Sequence, residues 1–161
     1  MEFSKIEVND WMKGKKQMIY KIVLFFHVLS AVVATGPLFA IFPMLKRMEK
    51  AEGVLEQGII EGLRGAVRAV SLAGHFLVPT GIIVLLFGGW PWQTPWVLAT
   101  IIMLIASLLF LAKAFKPAWR IAEAPHFNRL LFIRTMRSAT MKYILIMLVM
   151  LWLMVAKPQL W

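Results

Sequence analysis

Cysteine is absent from the 161 residues, so disulfides, iron–sulfur clusters and thiolate chemistry are excluded. Charge is scarce: 16% of residues are Asp, Glu, Lys or Arg, against about a quarter in soluble domains. Acid is scarcer still. There are eight Asp and Glu, none of them inside the long apolar runs, and Glu123 is the sole acid after Glu61. Hydrolysis by paired carboxylates and a carboxylate-based proton pump therefore lack their residues. No Gly-rich phosphate loop, nucleophile elbow or HExxH occurs either.

What is present is apolar. Some 60% of residues are hydrophobic and the mean hydropathy is +0.74. The charges cluster, which leaves stretches with nothing to offer water. The expected fold is all-α, a bundle of four transmembrane helices in one domain. About 20 apolar residues cross roughly 30 Å of hydrocarbon. Between Ile22 and Leu45 the only ionisable residue is His27; between Ala69 and Ala112 it is His75. The second run is too long for one crossing, and Gly88-Gly89-Trp90-Pro91-Trp92-Gln93-Thr94-Pro95-Trp96 divides it, Gly and Pro breaking the helix and Trp marking the interface. The predicted spans are 22–45, 67–87, 94–115 and 138–156, with Pro37 and Pro43 kinking or ending the first. Residues 1–16 are expected as a polar tail or short surface helix, with Trp11 and Met12 at the interface. Leu55, Ile59, Ile60 and Leu63 suggest an amphipathic surface helix within 46–66. Residues 116–137 form a basic connection in which His126 is solvated, and Trp161 anchors the tail. The run after Lys21 is too long for a signal-peptide core, and Gly36-Pro37 is a poor cleavage site.

The net charge is +10, but the basic residues flank apolar spans, the pattern that serves lipid headgroups and insertion polarity, and nucleic acid is not an expected partner. Lys5, Lys13, Lys15, Lys16, Lys21 and Lys157 belong to the side of the termini; the other twelve of the 18 Lys and Arg belong to the opposite side. The positive-inside rule then predicts extracytoplasmic termini in a cytoplasmic membrane.

His27 and His75 stand out, because an ionisable side chain inside a span is costly and points to function. Two imidazoles on sequence-adjacent helices offer nitrogens to one iron, and haem b suits apolar walls with axial bases. Ser30, Ala31 and Ala34 give His27 a face of small side chains against which a flat ring can lie. His75 has Ser71 one turn earlier, Gly74 beside it and Pro79 four residues on. Arg68, about 10 Å from His75 along the same face, suits a haem propionate. The expected cofactor-binding set is therefore His27, His75, Arg68, Ser30 and Ala34, with His27 and His75 as metal ligands. Against a shared iron, the predicted spans separate the two histidines by roughly 12 Å in depth. The alternatives are hydrogen bonding that glues helices together, or metal-ion, quinone or proton handling. Met147, Met150 and Met154 line one face of the last span, which raises Cu(I) transport, although methionine is ordinary filler in apolar helices.

Phe26-His27-Val28-Leu29, the small residues and Gly36 after it, and a terminal Met154-Val155-Ala156-Lys157-Pro158 resemble a group of small bacterial integral membrane proteins. These are distantly similar to the copper-resistance protein D family and to HemJ-type protoporphyrinogen oxidases. The resemblance implies haem b at an intramembrane histidine, with His27 the matching position, and on the copper side it implies transport. Where HemJ-type proteins carry an aromatic-rich, Arg-containing stretch, this chain has Phe39-Ala40-Ile41-Phe42-Pro43-Met44, which leaves protoporphyrinogen oxidation unsupported. The expectation is thus a haem-binding protein with a redox or haem-handling role, partnered by lipid and by quinone or a redox protein. Small faces at Gly62, Gly65 and Ala66, or at Ala99 and Ala106, favour a homo-oligomer. A copper or small-solute transport subunit and a non-catalytic scaffold are the competing readings.

Overall fold

The computed structural model describes residues 3–91 and 93–158, with side chains from residue 11 onward; Trp92 and Trp161 lie outside the described residues. The chain is all-α, in the order α1 (Phe3–Met48), α2 (Val54–Phe87), α3 (Pro95–Ala114), α4 (Lys116–Ala122) and α5 (Arg129–Ala156). Four helical segments, Trp11–Met48, Val54–Phe87, Pro95–Ala122 and Arg129–Ala156, are long and apolar enough to cross a membrane. In the most apolar stretch of each, only 17% to 39% of residues are buried. Phe25, Val32, Leu72, Phe76, Ile102, Leu145 and Val155 are among the large side chains turned outward. Such a surface is stable against lipid and not against water. This is a multi-pass membrane protein.

Helices begin earlier and run longer than the hydropathy suggests. At 1.5 Å per residue α1 is about 69 Å long, more than twice the hydrocarbon thickness. The polar segment expected as a tail is therefore, from Phe3, the first turns of α1, and Pro37 and Pro43 lie inside that helix without ending it. Likewise, no separate helix lies on the surface between 46 and 66: the Leu55–Leu63 pattern belongs to the start of α2. Its helical period was read correctly, but it packs inward, with Ile59 and Leu63 buried and Leu55 exposed. Asn128 caps α5, its side-chain oxygen accepting from Leu131 N at 3.0 Å, so that helix starts nine residues before the apolar span.

The interior is built from one stripe of each helix. His27, Ala34, Leu38, Ile41, Leu45 and Met48 of α1 are buried, and steps of seven, four, three, four and three keep them on one seam. They meet Ile59, Leu63, Val70, Ala73 and Leu77 of α2 and a third stripe on α5 that includes Phe132, Met136, Tyr143 and Met147. Against Gly62 lies the end of the Met44 side chain, which a methyl group there would displace. α1 packs along α2 and α5, and α3 packs on α5; α2 and α3, although joined by a short turn, barely touch. One flank of α2 is thus left without a neighbour.

The two ends are closed differently. At one end Arg129 pairs with Glu56 at 3.0 Å and reaches the Glu49 carbonyl at 3.4 Å, while Arg64 pairs with Glu123 at 2.9 Å. These contacts tie the α1–α2 and α4–α5 connections together. At the other end Lys157, in the left-handed conformation (φ 44°), terminates α5 with its ammonium 4.5 Å from the Trp90 ring centre and 5.6 Å from that of Trp96. The cation–π attraction offsets the strain of a non-glycine residue there. Phe132 sits at the first of these ends, fully buried between Trp119 and Phe127. Phe132→Ala is expected to lower stability by about 3 kcal/mol in detergent denaturation, whereas Leu130→Ala, at a site 72% exposed, leaves the transition where it was.

Candidate functional site

The intramembrane polar groups gather around the turn of α2 that contains Pro79. Proline has no N–H, so the His75 carbonyl loses its helical partner and the local ladder loosens. His27 enters from α1 and is only 7% exposed. Its Nδ1 lies 3.2 Å from the Leu77 carbonyl oxygen and 3.2 Å from Thr80 Oγ1. A carbonyl only accepts, and the Thr80 hydroxyl already donates to Phe76 O at 2.7 Å. The proton therefore belongs to Nδ1, and Nε2 carries the lone pair. The ring lies against Gly81, where a Cβ would come within 3.0 Å of His27 Cε1. Even a methyl group at position 81 would make the imidazole give way by a few tenths of an ångström.

His75 is exposed, and its Nδ1 lies 2.6 Å from the carbonyl oxygen of Ser71, one turn back on its own helix. The same reasoning puts a proton on Nδ1, and no hydrogen bond to Nε2 occurs among the described residues.

The two histidines do not meet, and depth is not what separates them. His27 touches α2 at residues 77 to 81, which is only about 3–9 Å along the axis from His75. Azimuth separates them: at 100° per residue, Leu77, Thr80 and Gly81 centre about 190° around α2 from His75. α2 stands between the rings. A single iron held by His27 and His75 of one chain is therefore not formed.

The remaining expected residues divide. Ala34 is buried in the core, so the shelf of small side chains beside His27 is filled by helix packing and gives no open wall for a macrocycle. Ser30 returns its hydroxyl to Phe26 O at 2.8 Å. Arg68 is exposed on the His75 side of α2 and, with Gln57, Glu61 and Arg64, lines an open cavity of about 610 Å³ toward α4. His126 is exposed in the turn before α5. Met147 and Met150 are packed in the core. No cluster of three or more His, Cys, Asp or Glu suited to a metal ion occurs among the described residues.

Thr80 and Gly81 are the site residues that sequence reading missed. Their signal was faint but physical: a hydroxyl and a missing side chain directly after an intramembrane proline, where an incoming polar group finds both a partner and room. A double-mutant cycle of His27→Ala with Thr80→Val is expected to return about 0.6 kcal/mol, the usual size of an interhelical hydrogen bond in a membrane. A coupling of zero would mean that Nδ1–H spends itself on Leu77 O alone. No protein-family model, curated protein or solved structure matches this chain.

Proposed function

We propose that this chain is a b-type haem protein of the cytoplasmic membrane with a redox or haem-handling role, and that His75, rather than a His27–His75 pair, would hold the haem. The observation that carries the reading is the geometry of the His75 ring: Nδ1 is committed to Ser71 O at 2.6 Å, and the ring stands on an exposed face, where Nε2 of the neutral imidazole would be the ligating nitrogen. A ligating imidazole is oriented in this way, its other nitrogen donating to a backbone carbonyl. Leu72 and Phe76, 62% and 59% exposed, give an apolar wall beside it. Arg68, two helical turns toward the basic end, is a counterion for a propionate. His27 does not suit the same role, because its ring is lodged between α1 and α2 against Gly81.

One flank of α2 supplies one ligand and one wall. A second copy presenting the same flank would supply the others, with His75 of the partner subunit helping to hold the haem. That arrangement is a two-fold symmetric homodimer with one haem per two chains. Bound there, haem supplies one-electron transfer in an apolar setting, with a quinone or a redox protein as the exchanging partner. The excess of Lys and Arg at the connections α1–α2 and α4–α5 favours a cytoplasmic location for that end and extracytoplasmic termini.

Absorption spectra of protein purified in detergent test the ligand. The wild type is expected to show a Soret band at half-equimolar haem, His75→Ala to lose it, and His27→Ala to keep it with a lowered melting temperature. A wild type with no Soret band after haem supplementation sinks the proposal. Orientation is read separately by labelling single cysteines in a chain that has none of its own. An impermeant maleimide is expected to reach Gln93→Cys in intact cells and to reach Glu52→Cys only after lysis; the reverse pattern inverts the topology.

A further inference from the structure

α1 overhangs the membrane at the end where α2 turns into α3, and the overhang makes a cavity. Lys13, Lys16, Gln17 and Tyr20 occupy one face of α1, at spacings of three, four and seven residues. Opposite them stand Leu86, Phe87, Gly88 and Trp90, across an open groove of about 710 Å³. The depth is that of the headgroups, since α1 turns wholly apolar after Lys21 and α2 ends at Phe87.

The chemistry of the lining is one-sided. Two ammonium groups, an amide, a phenol and an indole face the space over an apolar floor, and among the described residues no carboxylate lines it. A third cation, Lys157, stands 4.5 Å from the Trp90 ring centre. Trp96 packs edge-on to Trp90 at 5.3 Å, and its Nε1–H is the one buried side-chain donor without a partner among the described residues. The cavity at the opposite end differs, because there Glu61 lies beside Arg64 and Arg68 and Arg64 is already paired with Glu123. A zone with two cations and no carboxylate among the described residues, at headgroup depth, fits an amphiphile with a negative head.

We propose that the cavity between the first turns of α1 and the α2–α3 turn binds an anionic phospholipid, with Lys13 and Lys16 on its phosphate and Leu86, Phe87 and Trp90 against the start of its acyl chains. Basic residues near a membrane surface each favour anionic lipid by an amount that makes two of them worth roughly tenfold or more. The site is separate from the haem proposal, sharing no residue with His75, Leu72, Phe76 or Arg68.

Native mass spectrometry of the full chain tests this in detergent with phosphatidylglycerol or phosphatidylcholine, with melting temperature measured in parallel. The wild type is expected to retain phosphatidylglycerol roughly tenfold better than phosphatidylcholine and to melt higher with it. Lys13→Gln with Lys16→Gln is expected to abolish that preference, while Lys46→Gln with Arg47→Gln, at the other end, preserves it. Equal retention of the two lipids by the wild type overturns the proposal, as does an unchanged preference in the Lys13/Lys16 variant. Equal stabilisation by inorganic phosphate alone also overturns it, since the site would then read a free anion and not a lipid. A Soret band unaffected by Lys13→Gln and Lys16→Gln keeps this outcome distinct from that of the haem reading.

Discussion

An N–H group in hydrocarbon has no water to return to, and the arrangement of this molecule follows from where His27 spends its proton. The Pro79 turn of α2 offers the imidazole both an acceptor and a place to lie. Leu77 O and Thr80 Oγ1 receive Nδ1–H, and Gly81 leaves room for the ring. Once that contact is made, α1 and α2 are fixed in register and in rotation. The seam from Ala34 to Met48 then falls on the stripe from Leu77 back to Ile59. His75, on the far side of α2, must look outward.

The rest of the interior respects the same rule. Thr140, wholly buried, donates to Met136 O at 2.9 Å, Thr100 to Trp96 O at 2.7 Å, and Ser107 to Leu104 O at 2.8 Å. Each hydroxyl is satisfied within its own helix and makes no demand on a neighbour. His27 is the exception: its polar contact crosses between helices in the apolar zone, so it specifies which faces meet while the apolar stripes supply the area. Ionic contacts between elements, by contrast, are kept to the polar end, where water lowers the cost of a mismatch.

Much of the fold could be read from the sequence, because a membrane reduces the question to length and hydropathy. The apolar runs and the Gly-Trp-Pro turn gave the four spans and their order, while the short helix α4, inside the basic connection, was not legible. The ends of the helices were less legible. Hydropathy reports where lipid stops, whereas a helix continues as long as its backbone can stay hydrogen-bonded, as α1 does through its lysines and α2 through Leu55 to Leu63. The candidate site was half legible. His27 and His75 stood out as imidazoles in apolar runs, and counting residues gave their depths. Their azimuths depend on which face of α2 meets α1, and that was decided by Thr80 and Gly81, two residues with no charge to draw the eye. Ala34 misled for the same reason: a small side chain reads equally well as an open shelf or as a tight helix contact.

The missing contact between α2 and α3 has a consequence for how the protein is made. α1 and α2 are consecutive and pack along their length, so this hairpin can assemble as soon as Phe87 leaves the translocation machinery. α3 has no such companion among the helices before it; its partner is α5, whose last turn is synthesised roughly forty residues later. At 5–20 residues per second that is a wait of about 2–8 s, during which a very apolar helix stands alone in the lipid. Biogenesis is therefore a two-stroke process with an early half and a late half, and the interval between them is when an insertase or chaperone has something to hold.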